Sequence, residues 1–145
     1  METEQMYLTF ELGKEHFALD VKTVKEVLEY DSFTRVPRMP KEMKGVINIR
    51  GSVVPVIDFA QKMGLNPIGK SEHSRIILLE VEHEDELLVT GILADRVNEV
   101  VEIQQKDIAP PPSMGTIQES HYVIGVGKRG SDFILLLDLT KVLSG

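Results

Sequence analysis

One strand–turn–strand unit occurs four times along this chain. Tyr7-Leu-Thr-Phe-Glu-Leu-Gly13 returns as His16-Phe-Ala-Leu-Asp20, and Val46-Ile-Asn-Ile49 returns as Val53-Val-Pro-Val-Ile-Asp58 after Arg50-Gly51-Ser52. Ile76-Ile-Leu-Leu-Glu-Val81 meets an acidic turn and returns as Leu87-Leu-Val-Thr-Gly-Ile-Leu-Ala-Asp95. Tyr122-Val-Ile-Gly-Val-Gly127 passes Lys128-Arg-Gly-Ser131 and returns as Asp132-Phe-Ile-Leu-Leu-Leu-Asp138. The runs are short and rich in β-branched and aromatic residues, which predicts strands rather than helices.

The four units pair off. Lys25-Glu-Val-Leu-Glu-Tyr30 resembles Asn98-Glu-Val-Val-Glu-Ile103, an offset of 73. Gly45…Arg50-Gly51…Asp58 resembles Gly125…Arg129-Gly130…Asp138, an offset of 79 to 80. The second half has the longer connector, Gln104 to His121, which holds Pro110-Pro-Pro112 and Gly115 and reads as a stiff extended loop. Two copies of a unit too small to stand alone predict an all-β fold of two short-stranded antiparallel barrels side by side. The cleft between them is a natural place for a partner.

Every return strand ends in aspartate: Asp20, Asp58, Asp95 and Asp138. A short carboxylate there can accept from the free N–H groups of a following turn, so these four read as caps or strand-end turns. Phe59-Ala-Gln-Lys-Met-Gly64 and Leu139-Thr-Lys-Val-Leu143 are the helical turns such caps would start.

A chain of 145 residues with 42% hydrophobic residues holds one domain, or two very small ones on one core. Its net charge of −7 argues against nucleic acid and against adsorption to an anionic membrane. With no cysteine, disulfides, thiol nucleophiles and thiolate metal sites are excluded. The acidic start, Met1-Glu-Thr-Glu-Gln-Met6, is unlike a signal peptide, and no apolar run reaches the length of a membrane span. The expectation is a cytoplasmic protein with no direct membrane insertion.

Catalytic patterns are missing. His16, His73, His83 and His121 show no metal-ligand spacing, and no nucleophile elbow or phosphate-cradling loop is present. A hydrolase using Asp58 and Asp138 would need two apposed carboxylates sharing a proton. The aspartates stand in four different contexts, with no glycine after them. No enzyme activity, metal or cofactor is expected.

Arg50 is different. Asn-Gly or Asp-Gly would satisfy a tight hairpin, yet arginine stands before the turn glycine. It reads either as a solvated strand-end arginine or as a recognition group whose planar donors match a carboxylate twice.

Taken in order, several segments resemble the CheW family of bacterial chemotaxis coupling proteins. The most specific is Gly45-Val-Ile-Asn-Ile-Arg-Gly51 with Val54-Pro-Val-Ile-Asp58, similar to the family's Asn-x-Arg-Gly motif. Asp20-Val-x-x-Val24-x-Glu26-Val27-Leu28, Val36-Pro37…Pro40 and Gly91-Ile-Leu-Ala-Asp95-x-Val-x-x-Val100 support it. The likeness runs from about Tyr7 to Leu143.

The resemblance implies two pseudo-symmetric five-stranded SH3-like barrels around a shared core, with short helices. Residues 1–145 form one domain, with halves near 7–68 and 69–145 and strands able to exchange between barrels. It implies a non-enzymatic adaptor, monomeric alone, that bridges the cytoplasmic tip of a chemoreceptor and the regulatory domain of the histidine kinase CheA. Such an adaptor works in arrays under the inner membrane. The partner-binding positions it implies are Glu26, Arg50, Asn48, Gly51, Val24, Val27, Gly45, Gly91 and Val100, with Glu26 and Arg50 close together near a receptor-binding groove. Arg96 and Leu28-Glu29 depart from the pattern and bear on partner specificity. An adaptor in another kinase pathway and a peptide-binding barrel remain as alternatives.

Overall fold

Alternating apolar runs become strands wherever one face finds a core. The computed structural model describes residues 5–31, 33–111, 122–138 and 141. Its elements are β1 (Met6–Leu12), β2 (Glu15–Asp20), β3 (Val24–Glu29), β4 (Met43–Ile49), β5 (Ser52–Ile57), α1 (Phe59–Lys62), β6 (Arg75–His83), β7 (Glu86–Ala94), β8 (Arg96–Glu102), β9 (Ile108–Ala109), β10 (Val123–Arg129) and β11 (Asp132–Leu137). All four expected hairpins form: β1–β2, β4–β5, β6–β7 and β10–β11. The Lys25–Tyr30 and Asn98–Ile103 segments, matched in sequence but not read as strands, supply β3 and β8. The helical turn expected at 139–143 lies outside the described residues apart from Lys141, as does the connector from Pro112 to His121.

The strands make two sheets, ordered β8-β1-β2-β11-β10-β9 and β3-β6-β7-β5-β4. The sixth strand of the first sheet is the two-residue β9, so each sheet keeps the expected five. Each sheet draws on both halves of the chain: β1–β2 joins strands from the second half, and β6–β7 joins strands from the first. The joins are the same in kind, β11 beside β2 and β5 beside β7, and both are parallel, so neither sheet is the wholly antiparallel one expected: the exchanged hairpin enters alongside a strand of the other half rather than through a turn.

The duplication is kept residue by residue. Tyr7↔Asp20 recurs as Ile76↔Leu93, Val24↔Leu79 as Val97↔Phe10, and Gly45↔Val56 as Gly125↔Leu136. Even the bulges recur, between Met43 and Gly45 and between Val123 and Gly125. By this register Arg129 pairs with Asp132 as Ile49 pairs with Ser52, so Arg129 matches Ile49 and Gly130 matches Arg50. The Arg-Gly likeness read in sequence is therefore one residue out of step.

Of two buried apolar clusters, the larger draws on both sheets. It joins Phe10, Leu12, Phe17 and Leu19 to Val56, Phe59, Ile76, Ile77, Leu79, Ile92 and Leu93. Phe10 stacks on Phe17 at 6.1 Å, and Phe59 meets the Tyr122 ring edge-on at 5.1 Å. Burying each such side chain is worth about 1.5–3 kcal/mol, so the shared core holds the exchanged hairpins in place. Among the described residues no helix is long and apolar enough to cross a membrane.

Three of the four strand-end aspartates cap the turn that follows. Asp20 Oδ1 accepts from the Lys22 N–H, Asp58 Oδ1 from Gln61 and Asp138 Oδ1 from Lys141. Asp95 does something else: its Oδ2 accepts from the Gly13 N–H at 2.6 Å and so holds the β1–β2 turn. In the repeat register Asp20 aligns with Leu93, so Asp95 occupies a different place in the fold.

Candidate partner-binding surface

Arg50 and Gly51 are the two central residues of the β4–β5 turn, closed by the Ile49↔Ser52 pair. Both have positive φ, 48° and 90°. That is the type I′ pattern, whose twist suits a hairpin and which favours Asn-Gly. Arginine in the left-handed region costs on the order of 1 kcal/mol. Asn48 supports the turn, its Oδ1 accepting from the Gly51 N–H at 2.8 Å. The chain thus holds a guanidinium where glycine or asparagine would fold more easily.

The guanidinium meets Glu26 on β3. Arg50 Nη2 donates to Glu26 Oε2 at 3.1 Å, and Nη1 to Oε1 at 3.4 Å. This is a forked contact, with the arginine side chain 67% exposed and the glutamate 31%. An exposed pair adds only about 0–1 kcal/mol. Its consequence is geometric: it fixes five donors at the surface in one orientation.

Beside the pair runs a groove of about 400 Å³ between β3 and β4, the two ends of the five-strand order. Its lining is mixed: Leu28, Phe33, Val46, Ile47, Ile49 and Ile76 beside Glu29, Asp31, Thr34 and Asn48. Leu28-Glu29 therefore belongs to the groove. Asn48 serves both the groove and the turn that presents Arg50.

The remaining expected residues are placed in three ways. Val27 follows Glu26 on β3 and is exposed, while Val24 is half-buried against the core. Gly45 and Gly91 lie beneath the surface. A Cβ at Gly45 would come within 2.2 Å of the Thr34 carbonyl oxygen, and one at Gly91 within 2.8 Å of Ile76 Cγ2. Both glycines permit close packing behind the groove. Val100 is exposed on β8 of the other sheet, apart from the Arg50 group. Arg96 is exposed on the same strand, opposite Glu11.

A second ion pair was not anticipated. Arg129 Nη1 stands 3.1 Å from Glu99 Oε1 on the six-stranded sheet. Glu99 is the repeat equivalent of Glu26, and the sequence match of 25–30 with 98–103 was the signal for it. Arg129 reaches it from a strand end rather than from a turn centre.

Asp58 is fully buried and accepts from the Gln61 and Ile68 N–H groups at 3.0 and 2.8 Å. Burial pushes its carboxyl above the usual range, while those two N–H bonds oppose the shift.

The CheW-like domain profile matches residues 6–145. The chain belongs to the CheW-like family. It is 33% identical over 140 residues to the chemotaxis protein CheW of Klebsiella aerogenes, covering 97% of this chain and 82% of that protein. The Treponema pallidum CheW is 30% identical over 146 residues, covering 97% and 84%. In structure the chain is similar to the scaffolding protein TtCheW of Thermoanaerobacter tengcongensis, with a TM-score of 0.83 and 34% identity, covering 96% of this chain and 87% of that one. The CheW family membership and the two-sheet β architecture agree with the reading of the motifs.

Proposed function

We propose that this chain is a non-enzymatic chemotaxis adaptor that couples chemoreceptors to the histidine kinase CheA in cytoplasmic signalling arrays. The observation that carries this reading is the forked Arg50–Glu26 pair, held on a strained turn at the edge of a groove of mixed polar and apolar lining. A receptor's cytoplasmic tip is a helical bundle, and a helix can lay its apolar face into such a groove. Leu28, Phe33 and Ile47 would take the apolar face. A carboxylate on the incoming helix would share the Arg50 guanidinium with Glu26, fixing the helix in register. Val24, Gly45 and Gly91 act behind this surface by setting its shape. Val27 extends it, and Val100 belongs to a separate contact. The kinase's regulatory domain would bind elsewhere on the molecule, leaving the groove to the receptor.

Calorimetric titration against the regulatory domain of a CheA from the same cell tests the kinase arm, and co-sedimentation with a receptor cytoplasmic fragment tests the other. Saturable micromolar binding to both is expected, with Arg50→Ala losing only the receptor. Absence of binding to either would move the function to another kinase pathway or to an unknown peptide.

A further inference from the structure

The groove between β3 and β4 is charged differently at its two ends. At one end Arg50 reaches across to Glu26. At the other, Thr34 bridges to Val46, and Glu29 and Asp31 stand on the wall. The lining holds these two acids and no base. Leu28 and Ile47 line the stretch between the ends.

Glu29 is not committed within the molecule. Arg75 is its cross-strand neighbour on β6, yet Arg75 Nη1 donates to the Glu72 and Ser74 carbonyl oxygens, at 3.0 and 2.8 Å. Among the described residues the exposed Glu29 carboxylate has no hydrogen-bond or ion-pair partner. Glu26, earlier on the same strand, takes a guanidinium at 3.1 Å. A helix laid over the groove strips water from its walls. A carboxylate that loses water without gaining a counter-charge weakens the complex, so the groove favours a partner that brings a cation to Glu29.

Strand geometry sets where that cation must be. From Glu26 to Glu29 β3 advances about 10 Å, at about 3.3 Å per residue. A helix rises 1.5 Å per residue, so residues i and i+7 lie about 10.5 Å apart, and they share a face. Positions i+3 and i+4 fall between them, over Leu28 and Ile47.

We propose that Glu29, with Asp31 beside it, is a specificity-determining residue of this groove. It selects a helix that carries a lysine or arginine two turns from the carboxylate meeting Arg50, with apolar residues on the same face between them. This rests on the receptor reading above and adds the charge pattern the partner must carry. The pattern also fixes which way the helix runs along the groove, because the reverse direction sets base against Arg50 and acid against Glu29. A helix with acid at both positions is repelled at the Glu29 end, so selection works by attraction and by repulsion together.

Titration calorimetry of the full chain with a receptor cytoplasmic fragment from the same cell tests this. Glu29→Lys should weaken binding about tenfold, since an attractive pair becomes a repulsive one. Glu102→Lys, the same change of charge at an exposed position on β8 of the other sheet, should bind as wild type does. Each lysine and arginine of the fragment that stands seven residues from an acid is then reversed to glutamate in turn. One of these reversals should weaken binding to the wild-type chain to a like extent and restore binding to Glu29→Lys. A fragment that binds wild type and is lost by Arg50→Ala, but binds Glu29→Lys as well as wild type, leaves the receptor reading standing and overturns this inference. So does a Glu29→Lys variant with the wild-type circular dichroism spectrum that no reversal rescues. A wild-type chain that does not bind the fragment overturns the receptor reading, and this inference with it.

Discussion

Glu26 and Glu99 occupy the same position in the two repeats, each beside a bulge, and each meets an arginine at 3.1 Å. The arginines come from different places. Arg50 is the first central residue of its turn, while Arg129 is the last residue of β10, ahead of a turn that starts with Gly130 at φ 63°. One repeat thus places its guanidinium on a strained turn beside the β3–β4 groove, and the other keeps it on a relaxed strand.

Replacing Arg50 should separate stability from function. Arg50→Asn relieves the left-handed strain, worth about 1 kcal/mol, and gives up an exposed pair worth about 0–1 kcal/mol. Chemical denaturation should find this variant at least as stable as wild type. Receptor co-sedimentation should find it defective. A variant that binds receptor normally would remove Arg50 from the recognition surface.

The paired glycines at 45 and 125 should respond unequally. At Gly45 the obstacle to a Cβ is the Thr34 carbonyl oxygen, a backbone atom that also accepts from the Val46 N–H. At Gly125 it is a side-chain atom, Ile108 Cγ2, at 2.7 Å, with the Ala109 carbonyl oxygen further off at 3.2 Å. Gly45→Ala should cost about 1–3 kcal/mol and disturb the groove, with Gly125→Ala milder. Urea midpoints of the two variants give the comparison directly.

Asp58 should leave a signature in the pH dependence of stability. Its folded-state pKa lies above the reference value of 3.8, chiefly because burial disfavours the charged form. A raised pKa means that the folded state holds the proton more tightly. Its contribution is therefore fully present below pH 3.8 and is lost as pH rises through the folded-state value. Unfolding free energies of wild type and Asp58→Asn, measured side by side, should show wild type losing ground as pH rises through that window. A difference that is flat with pH would contradict this.

The sheet composition predicts how fragments behave. Segment 1–68 carries β1–β2 without β8 and β11, and segment 69–145 carries β6–β7 without β3 and β5. Each alone should give a largely unfolded circular dichroism spectrum, and the mixture should regain strand signal. Independent folding of either segment would show that the exchanged hairpin is dispensable.

Hairpins were legible because they close within a few residues. Alternating Val, Ile and Leu with a glycine turn settle β4–β5 or β10–β11 locally, and the aspartates at 20, 58 and 138 cap turns only two or three residues away. The motif around Asn48-Ile-Arg50-Gly51 was readable for the same reason, since the Asn48 bond to Gly51 spans three residues.

Long-range partners were decided by the tertiary structure. Glu11 lies across from Arg96, and Asp95 holds the turn at Gly13, contacts that span more than eighty residues. Both halves carry the same alternation of apolar and polar residues, so either would accept β1–β2 as a neighbour. Only burial of Phe10, Phe17, Ile77 and Leu93 in one shared core selects the exchange. That selection brings β3 beside β6 and leaves the β3–β4 groove at the edge of the sheet, with Arg50 on its rim.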